Sequence, residues 1–332
     1  MPKLSDYSIV LPKADLSPEC WEKNISSAPE AEKLLVQRWY LILKELAKIE
    51  DFTATPERMA WMAMWQTAKA TWRATQVACE GDSSFLTEML SRSLTEAFLR
   101  SETIVYPFSI QPDPPTAATE SAVTDRLRAY TAWCLWNDRL YLQEFGDGRT
   151  MRNNYDASLA RNIVNDENFL KGFKVFFGET VPLVTDQEQL DENRRQANYE
   201  INTAASLISD FLEDESLSGW VAKLHQLEKE YGNAIPFPAL FPESQFDKGV
   251  KRRLYQIGHR HHYHRYMKQS ALLHHSTLMN WFSVAPKEMQ MHFGIPRSDD
   301  HEASICYHAV HTQLLFLLML FPRAWGRTTS EQ

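Results

Sequence analysis

Apolar residues recur along most of this chain at steps of three and four, the period of an amphipathic helix. Leu34, Leu35, Trp39 and Leu43 mark a first helix over about 29–49. A second opens with Thr55 as N-cap, Pro56 at the first helical position and Glu57 in the first turn, a strong start signal. Met59, Met62, Trp65 and Trp72 carry it to about Cys79 as core positions. A third helix begins at Asp82 or Ser83 and runs to about Tyr106, where Pro107 and the prolines of 111–116 end it. A long helix follows over about 119–145, with Tyr130, Trp133, Trp136 and Tyr141 packed closely. Residues 150–186 are the least regular part. Helices over 187–212 and 217–231 come next, the latter stopped by Gly232. The proline-rich stretch 236–242 reads as a loop. A long helix over about 246–282 is closed by Pro286, and a last one, capped by Ser298 or Asp299, runs to about Phe321.

Alternating Val, Ile and Thr runs are scarce, and glycine totals only 11. The expected fold class is therefore all-α, a bundle of about eight helices. Residues 1–27 read as an irregular N-terminal segment, 28–322 as one helical-bundle domain with a sub-boundary near 146–186, and 323–332 as a tail.

The polar positions carry the candidate chemistry. Ten of the eleven histidines lie between His259 and His311. His259, Tyr263, Tyr266, Ser270, His274, Thr277 and Trp281 are spaced 4, 3, 4, 4, 3, 4, which puts them on one helix face. Core-facing stripes are normally Leu, Ile, Val or Phe. Burying so many polar groups is costly unless they have partners, so this face builds a polar network or a site. The last helix repeats the pattern with His301, Ser304, His308 and His311 or Thr312. If the two helices meet, His301, His308 and His274 form a candidate metal set, since imidazole suits zinc, iron or copper. No HExxH and no di-iron Glu-x-x-His pair accompanies them, and the expectation is no cofactor and no metal.

On the third helix, Glu88, Arg92, Glu96 and Arg100 stand four apart. That spacing suits a solvated salt-bridge ladder, but Arg92 and Glu96 border the apolar arc. A half-buried Arg beside a Glu can orient a histidine or hold a phosphate. Arg252 or Arg253 followed by His259 matches the Arg–His spacing of HEPN-type ribonucleases, a short pattern that a segment this rich in Arg and His readily produces.

Composition narrows the classes. The chain has 332 residues, 44% hydrophobic and 23% charged, which suits a folded globular protein. A net charge of −8 argues against charge-driven binding to duplex DNA or anionic membrane. Cys20, Cys79, Cys134 and Cys306 form no CxxC pair. The first twelve residues lack a signal-peptide pattern, and the longest apolar run, 314–321, is too short to span a bilayer at about 20 residues. A cytoplasmic location is expected.

Two segments carry a family resemblance. SRSLTEAFLRSETI holds Arg92-x3-Glu96, and YHRYMKQSALLHHST holds Tyr263-x2-Tyr266-x3-Ser270-x3-His274. In that order, separated by helices, they resemble the bacterial helical proteins grouped as DUF5677, a family of unknown function. The resemblance spans about residues 80–280. It implies an α-helical bundle and a site built from Arg92, Glu96, Tyr266, Ser270 and His274. The expected function is a HEPN-like ribonuclease or nucleotide-directed hydrolase, a bacterial toxin or defence effector. RNA or a nucleotide is the expected partner, and a homo-oligomer is allowed. His274 or His259 would be its general acid and base, Arg92 its phosphate holder, Glu96 its orienter and Tyr266 a hydrogen-bond donor. The alternatives are a helical binding protein whose stripe is structural, and a histidine-ligated metal enzyme.

Overall fold

The computed structural model describes residues 3–10, 30–80, 96–97, 99–108, 116–146, 187–232, 235–241, 282–285, 290–293 and 300–326. These residues are all-α in character. Among the described residues the helices are α1 (Glu30–Leu46), α2 (Pro56–Glu80), α3 (96–97 and 99–108), α4 (Ala117–Gly146), α5 (Gln187–Leu212), α6 (Ser218–Tyr231) and α7 (Asp300–Trp325). No helix among the described residues is long and apolar enough to cross a membrane.

The chain divides into two compact units. One takes Met1–Leu4 and Ala132–Ala234, the other Ser5–Thr131 and Ile235–Gln332. One division therefore falls inside α4, between Thr131 and Ala132. The sub-boundary expected near 146–186 lies, beyond Gly146, outside the described residues.

Local signals place the helix starts. The Thr55 hydroxyl accepts from the Arg58 N–H at 3.4 Å, as an N-cap should. Thr116 does the same for α4, accepting from the Thr119 N–H at 3.2 Å, so the helix begins two residues earlier than its periodicity suggests. Gly232 ends α6 at φ 62°, where a side chain would be strained.

The larger unit is built on α7, which packs against α2 and α1. Val310, Gln313, Leu314, Leu317, Leu320, Phe321 and Ala324 form its buried stripe. The helix does not stop at Phe321 but continues to Trp325, which is 5% exposed. Pro322 lacks an N–H and removes one helical bond. Pro322 itself is exposed. One residue before the carbonyl that Pro322 leaves without a helical donor, the buried Trp61 indole donates to the Leu317 carbonyl at 2.8 Å. Trp61 also meets Phe321 and Trp325 edge to face at 5.6 and 5.9 Å. Rings continue along α2 and α1, with Trp65 5.7 Å from Trp61 and stacked on Trp39 at 5.3 Å. Of the α2 positions expected in the core, Trp65 is buried, while Met59, Met62 and Trp72 are only half-buried and Met64 is buried instead; on α1, Trp39 is core as expected.

Three departures from the sequence expectation are instructive. The stretch read as a loop at 236–242 contains a buried 3-10 turn, Phe237–Leu240. Phe237 packs edge to face on Tyr130 at 5.2 Å, so tertiary burial orders a segment that local proline signals mark as irregular. The residues after the expected histidine helix form a small antiparallel hairpin, β1 (Phe282–Ala285) and β2 (Gln290–Phe293), with Phe282 paired to Phe293. The N-terminal segment holds a short 3-10 turn at Leu4–Asp6 and a bridge between Ser8 and Thr53.

The C-terminus of α7 is tied down by Arg58. Its Nε donates to the Ala324 carbonyl at 3.3 Å and its Nη1 to the Thr53 carbonyl at 2.7 Å, and it lies 5.1 Å over the Trp325 ring. Asp51 completes the cluster at 3.1 Å from Arg58. Hydrogen bonds from the Thr53 hydroxyl and N–H, and then from Arg58, hold the Asp51 carboxyl down from 3.8 to about 2. A carboxylate whose folded pKa is depressed stabilises the fold above its unfolded pKa and loses that effect as pH falls through the folded value. The Asp51 contribution is therefore complete above about pH 4 and lost between about pH 4 and 2. In acid titrations followed by circular dichroism, Asp51→Asn should flatten the stability profile in that window. A profile identical to wild type would show that the Thr53–Arg58 contacts do not act on Asp51.

Candidate functional site

Within the larger unit, α2, α3, α4 and α7 enclose a cavity of about 50 Å³. At about 10–15 Å³ per water this is room for several waters or one small polar group. Met64 and Thr67 come from α2, Ala97, Arg100 and Ser101 from α3, Tyr130 from α4, and Gln313, Phe316 and Leu317 from α7. No Asp, Glu, His or Cys is among its described lining residues.

Two of its hydroxyls are already committed as donors. Thr67 Oγ1 donates to the Ala63 carbonyl at 2.9 Å, and Ser101 Oγ has both the Ala97 carbonyl at 3.1 Å and Met64 Sδ at 3.7 Å as acceptors. This back-bonding to the preceding helical turn is the usual fate of Ser and Thr inside helices. Their oxygens keep lone pairs for a guest. Arg100 Nε donates to the Glu96 carbonyl at 3.2 Å, which folds the guanidinium along its own helix. Gln313 is 4% exposed, and its Oε1 is buried with no hydrogen-bond partner. A buried amide oxygen without a donor costs about 1–3 kcal/mol. Such a group in a native core calls for a bound water or ligand.

Of the sequence-derived site residues, only Glu96 is among those described. It is half-buried, one turn before Arg100 on α3. Arg92, Tyr266, Ser270 and His274 lie outside the described residues, as do His259, Arg252 and Arg253. His301 and His308 stand in α7, but their side chains are likewise outside the description; His311 is half-buried. The structure thus extends one sequence pattern: the four-residue ladder that includes Glu96 reaches a cavity at Arg100. Thr67, Ser101, Tyr130 and Gln313 were not legible as site residues from histidine content. Gln313 had a signal of its own. It is the one polar residue among Val310, Leu314 and Leu317 on the buried stripe of α7.

The smaller unit has a charged cluster between α4 and α6. The Arg139 guanidinium lies 3.7 Å over the fully buried Trp136 ring, whose other ring neighbour is His225 at 4.5 Å. Glu228 stands 3.7 Å from Arg139 and 3.8 Å from His225. Both separations exceed hydrogen-bond length, so Glu228 acts by charge, and on His225 only when that ring is protonated. Burial raises the nearby Asp138 carboxyl above its ordinary value. Among the described residues no group of three metal-ligating side chains converges, and Cys134 is in no disulfide.

Fold and cavity together define an all-α protein with a pocket of mixed, mostly apolar lining set between helices of its larger unit. No family model, curated protein or solved structure matches the chain.

Proposed function

We propose that this protein binds a phosphate-bearing ligand, a nucleotide or RNA, with the phosphate group in the α2–α3–α4–α7 cavity. The observation that carries the reading is that Arg100 and Gln313, whose buried Oε1 has no hydrogen-bond partner, line one cavity with no carboxylate among its described lining residues. An arginine in a partly desolvated cavity favours an oxyanion, and its planar fork suits phosphate geometry. Several oxygens near one cation give such a ligand orientation as well as charge.

Binding, rather than catalysis, is what this lining supports. The Thr67 and Ser101 hydroxyls are held by carbonyls, and no general base stands among the described lining residues. The second reading is the HEPN-like hydrolase. It is favoured by the position of Glu96 one turn from Arg100. In that reading the cavity seats the substrate phosphate, and His274 or His259, with Arg92, supplies the proton transfer and charge stabilisation. RNA or nucleotide cleavage abolished by His274→Ala would favour the hydrolase over simple binding.

Inorganic phosphate is the simplest probe. Titrated into the full chain and followed by amide chemical shifts, it should move the resonances of α3 and α7. Arg100→Ala should weaken binding by roughly 10-fold or more, the order expected for a charge-assisted hydrogen bond. Equal binding by wild type and Arg100→Ala would overturn the assignment of this cavity.

A further inference from the structure

We infer that the smaller unit carries a site of its own for an unpaired guanine base, read by Arg139 and Glu228. The inference does not depend on the phosphate cavity, which other residues form.

The site is built from two local pairs. Trp136 and Arg139 stand three apart on α4, beyond Thr131, and His225 and Glu228 stand three apart on α6. That spacing lets each pair share a helix face. Trp136 is fully buried, and the Arg139 guanidinium lies 3.7 Å over its ring. The stack holds a flat, weakly hydrated fork in place before any ligand arrives. Glu228 Oε1 stands 3.7 Å from Arg139 Nη2, and Glu228 Oε2 stands 3.8 Å from His225 Nδ1. Both gaps are too long for hydrogen bonds. No described residue hydrogen-bonds the terminal nitrogens of Arg139 or the Glu228 carboxylate. Both side chains stay partly open, at 24% and 31% exposure. Ion pairs this long and this exposed stabilise a fold very little. What they offer is a preset row of unfilled donors and acceptors.

The order of that row selects the ligand. The two terminal nitrogens of a guanidinium give parallel N–H donors, and a carboxylate gives two acceptors. Side by side, they match an edge with two acceptors followed by two donors. Guanine has that edge: N7 and O6 accept, and the neighbouring N1–H and N2–H donate. Adenine sets one donor group, N6, beside single acceptors and fills half of each fork. A primary amide has one acceptor beside one donor nitrogen. Arg139 and Glu228 also cancel in charge, which suits a neutral base better than a free anion. The His225 ring is 57% exposed and 4.5 Å from Trp136, which places an open aromatic surface beside the polar pair. Unpaired bases are held in this way, by edge hydrogen bonds next to aromatic rings.

The test titrates guanosine and adenosine, which carry no phosphate, into the full chain and follows the amide shifts of α4 and α6. Guanosine is expected to bind about 10-fold or more tightly than adenosine, the order of one bidentate base contact. Glu228→Gln turns one acceptor into a donor and should remove the preference while leaving the melting temperature unchanged. Equal binding of the two nucleosides by wild type, or no binding of either at millimolar concentration, would overturn the inference. So would an undiminished preference in Glu228→Gln. Propionamide binding as tightly as guanosine would assign the pair to a peptide amide and overturn the base site. UpGpU and UpApU separate the two sources of the base. A preference for UpGpU as large as that for guanosine extends the site to an RNA strand, and its loss confines the site to free nucleotides; both results uphold a guanine site. Because the nucleosides lack phosphate, none of these outcomes bears on the cavity at Arg100.

Discussion

Trp61→Ala should lower the stability of the larger unit by about 3–5 kcal/mol, the range for removing a large buried aromatic. Trp61 is fully buried. Its ring joins the aromatic row of α1 and α2 to that of α7, through Trp65 on one side and Phe321 and Trp325 on the other. Truncation opens a cavity in the middle of this row. It also removes the N–H that holds the Leu317 carbonyl next to the turn opened by Pro322. Trp61→Phe separates the two effects. It keeps most of the apolar area and loses the hydrogen bond, so about 1–3 kcal/mol should disappear. Urea unfolding monitored by far-ultraviolet circular dichroism measures both. A loss below about 1 kcal/mol for Trp61→Ala would mean that α7 does not depend on this contact, contrary to the range for such truncations.

Arg126→Ala should cost about 2–4 kcal/mol, from a desolvated cation–π contact together with a buried carbonyl left unsatisfied. Arg126 is 7% exposed. Its Nη1 donates to the Thr103 carbonyl at 2.6 Å, and its guanidinium lies 4.3 Å over Phe241 and 5.7 Å over Tyr106. One side chain thus fastens α3 and the segment after Phe237–Leu240 to α4. Lysine keeps the charge but not the flat, weakly hydrated fork, so Arg126→Lys should recover only part of the loss. Complete recovery by lysine would show that charge alone matters and that stacking on Phe241 contributes nothing measurable. Because α3 and α4 both line the cavity, Arg126→Ala should also weaken phosphate binding without touching the ligand.

Most of the helices were legible because their signals are local. Thr55-Pro56-Glu57 announces α2, the three-and-four spacing of Trp39 and Leu43 announces α1, and Gly232 ends α6. Each rests on backbone geometry or side-chain period within a few residues. The candidate site was legible in one respect only. The ladder from Glu88 to Arg100 marked α3 as a polar helix bordering the core, and the cavity stands at its end. The histidine stripe, the stronger sequence signal, falls on residues 259–281, outside those described.

What the sequence by itself determined is the all-α class, the capped start of α2, the end of α6 at Gly232, and the burial of Trp39, Trp65 and Trp136. Hydrophobic period and capping chemistry are properties of neighbouring residues and need no partner in space. The tertiary structure alone decided that Phe237–Leu240 is a buried turn, that α7 runs through Pro322 to Trp325, and that Arg100, Ser101, Tyr130 and Gln313 share one cavity. Those outcomes depend on which helix faces which. Proline removes one helical bond without ending α7 here, and Trp61 bonds to the neighbouring Leu317 carbonyl from more than 250 residues away. A glutamine on an apolar stripe becomes a site only when the facing helices leave it space and an arginine, and neither is encoded within reach of its own turn.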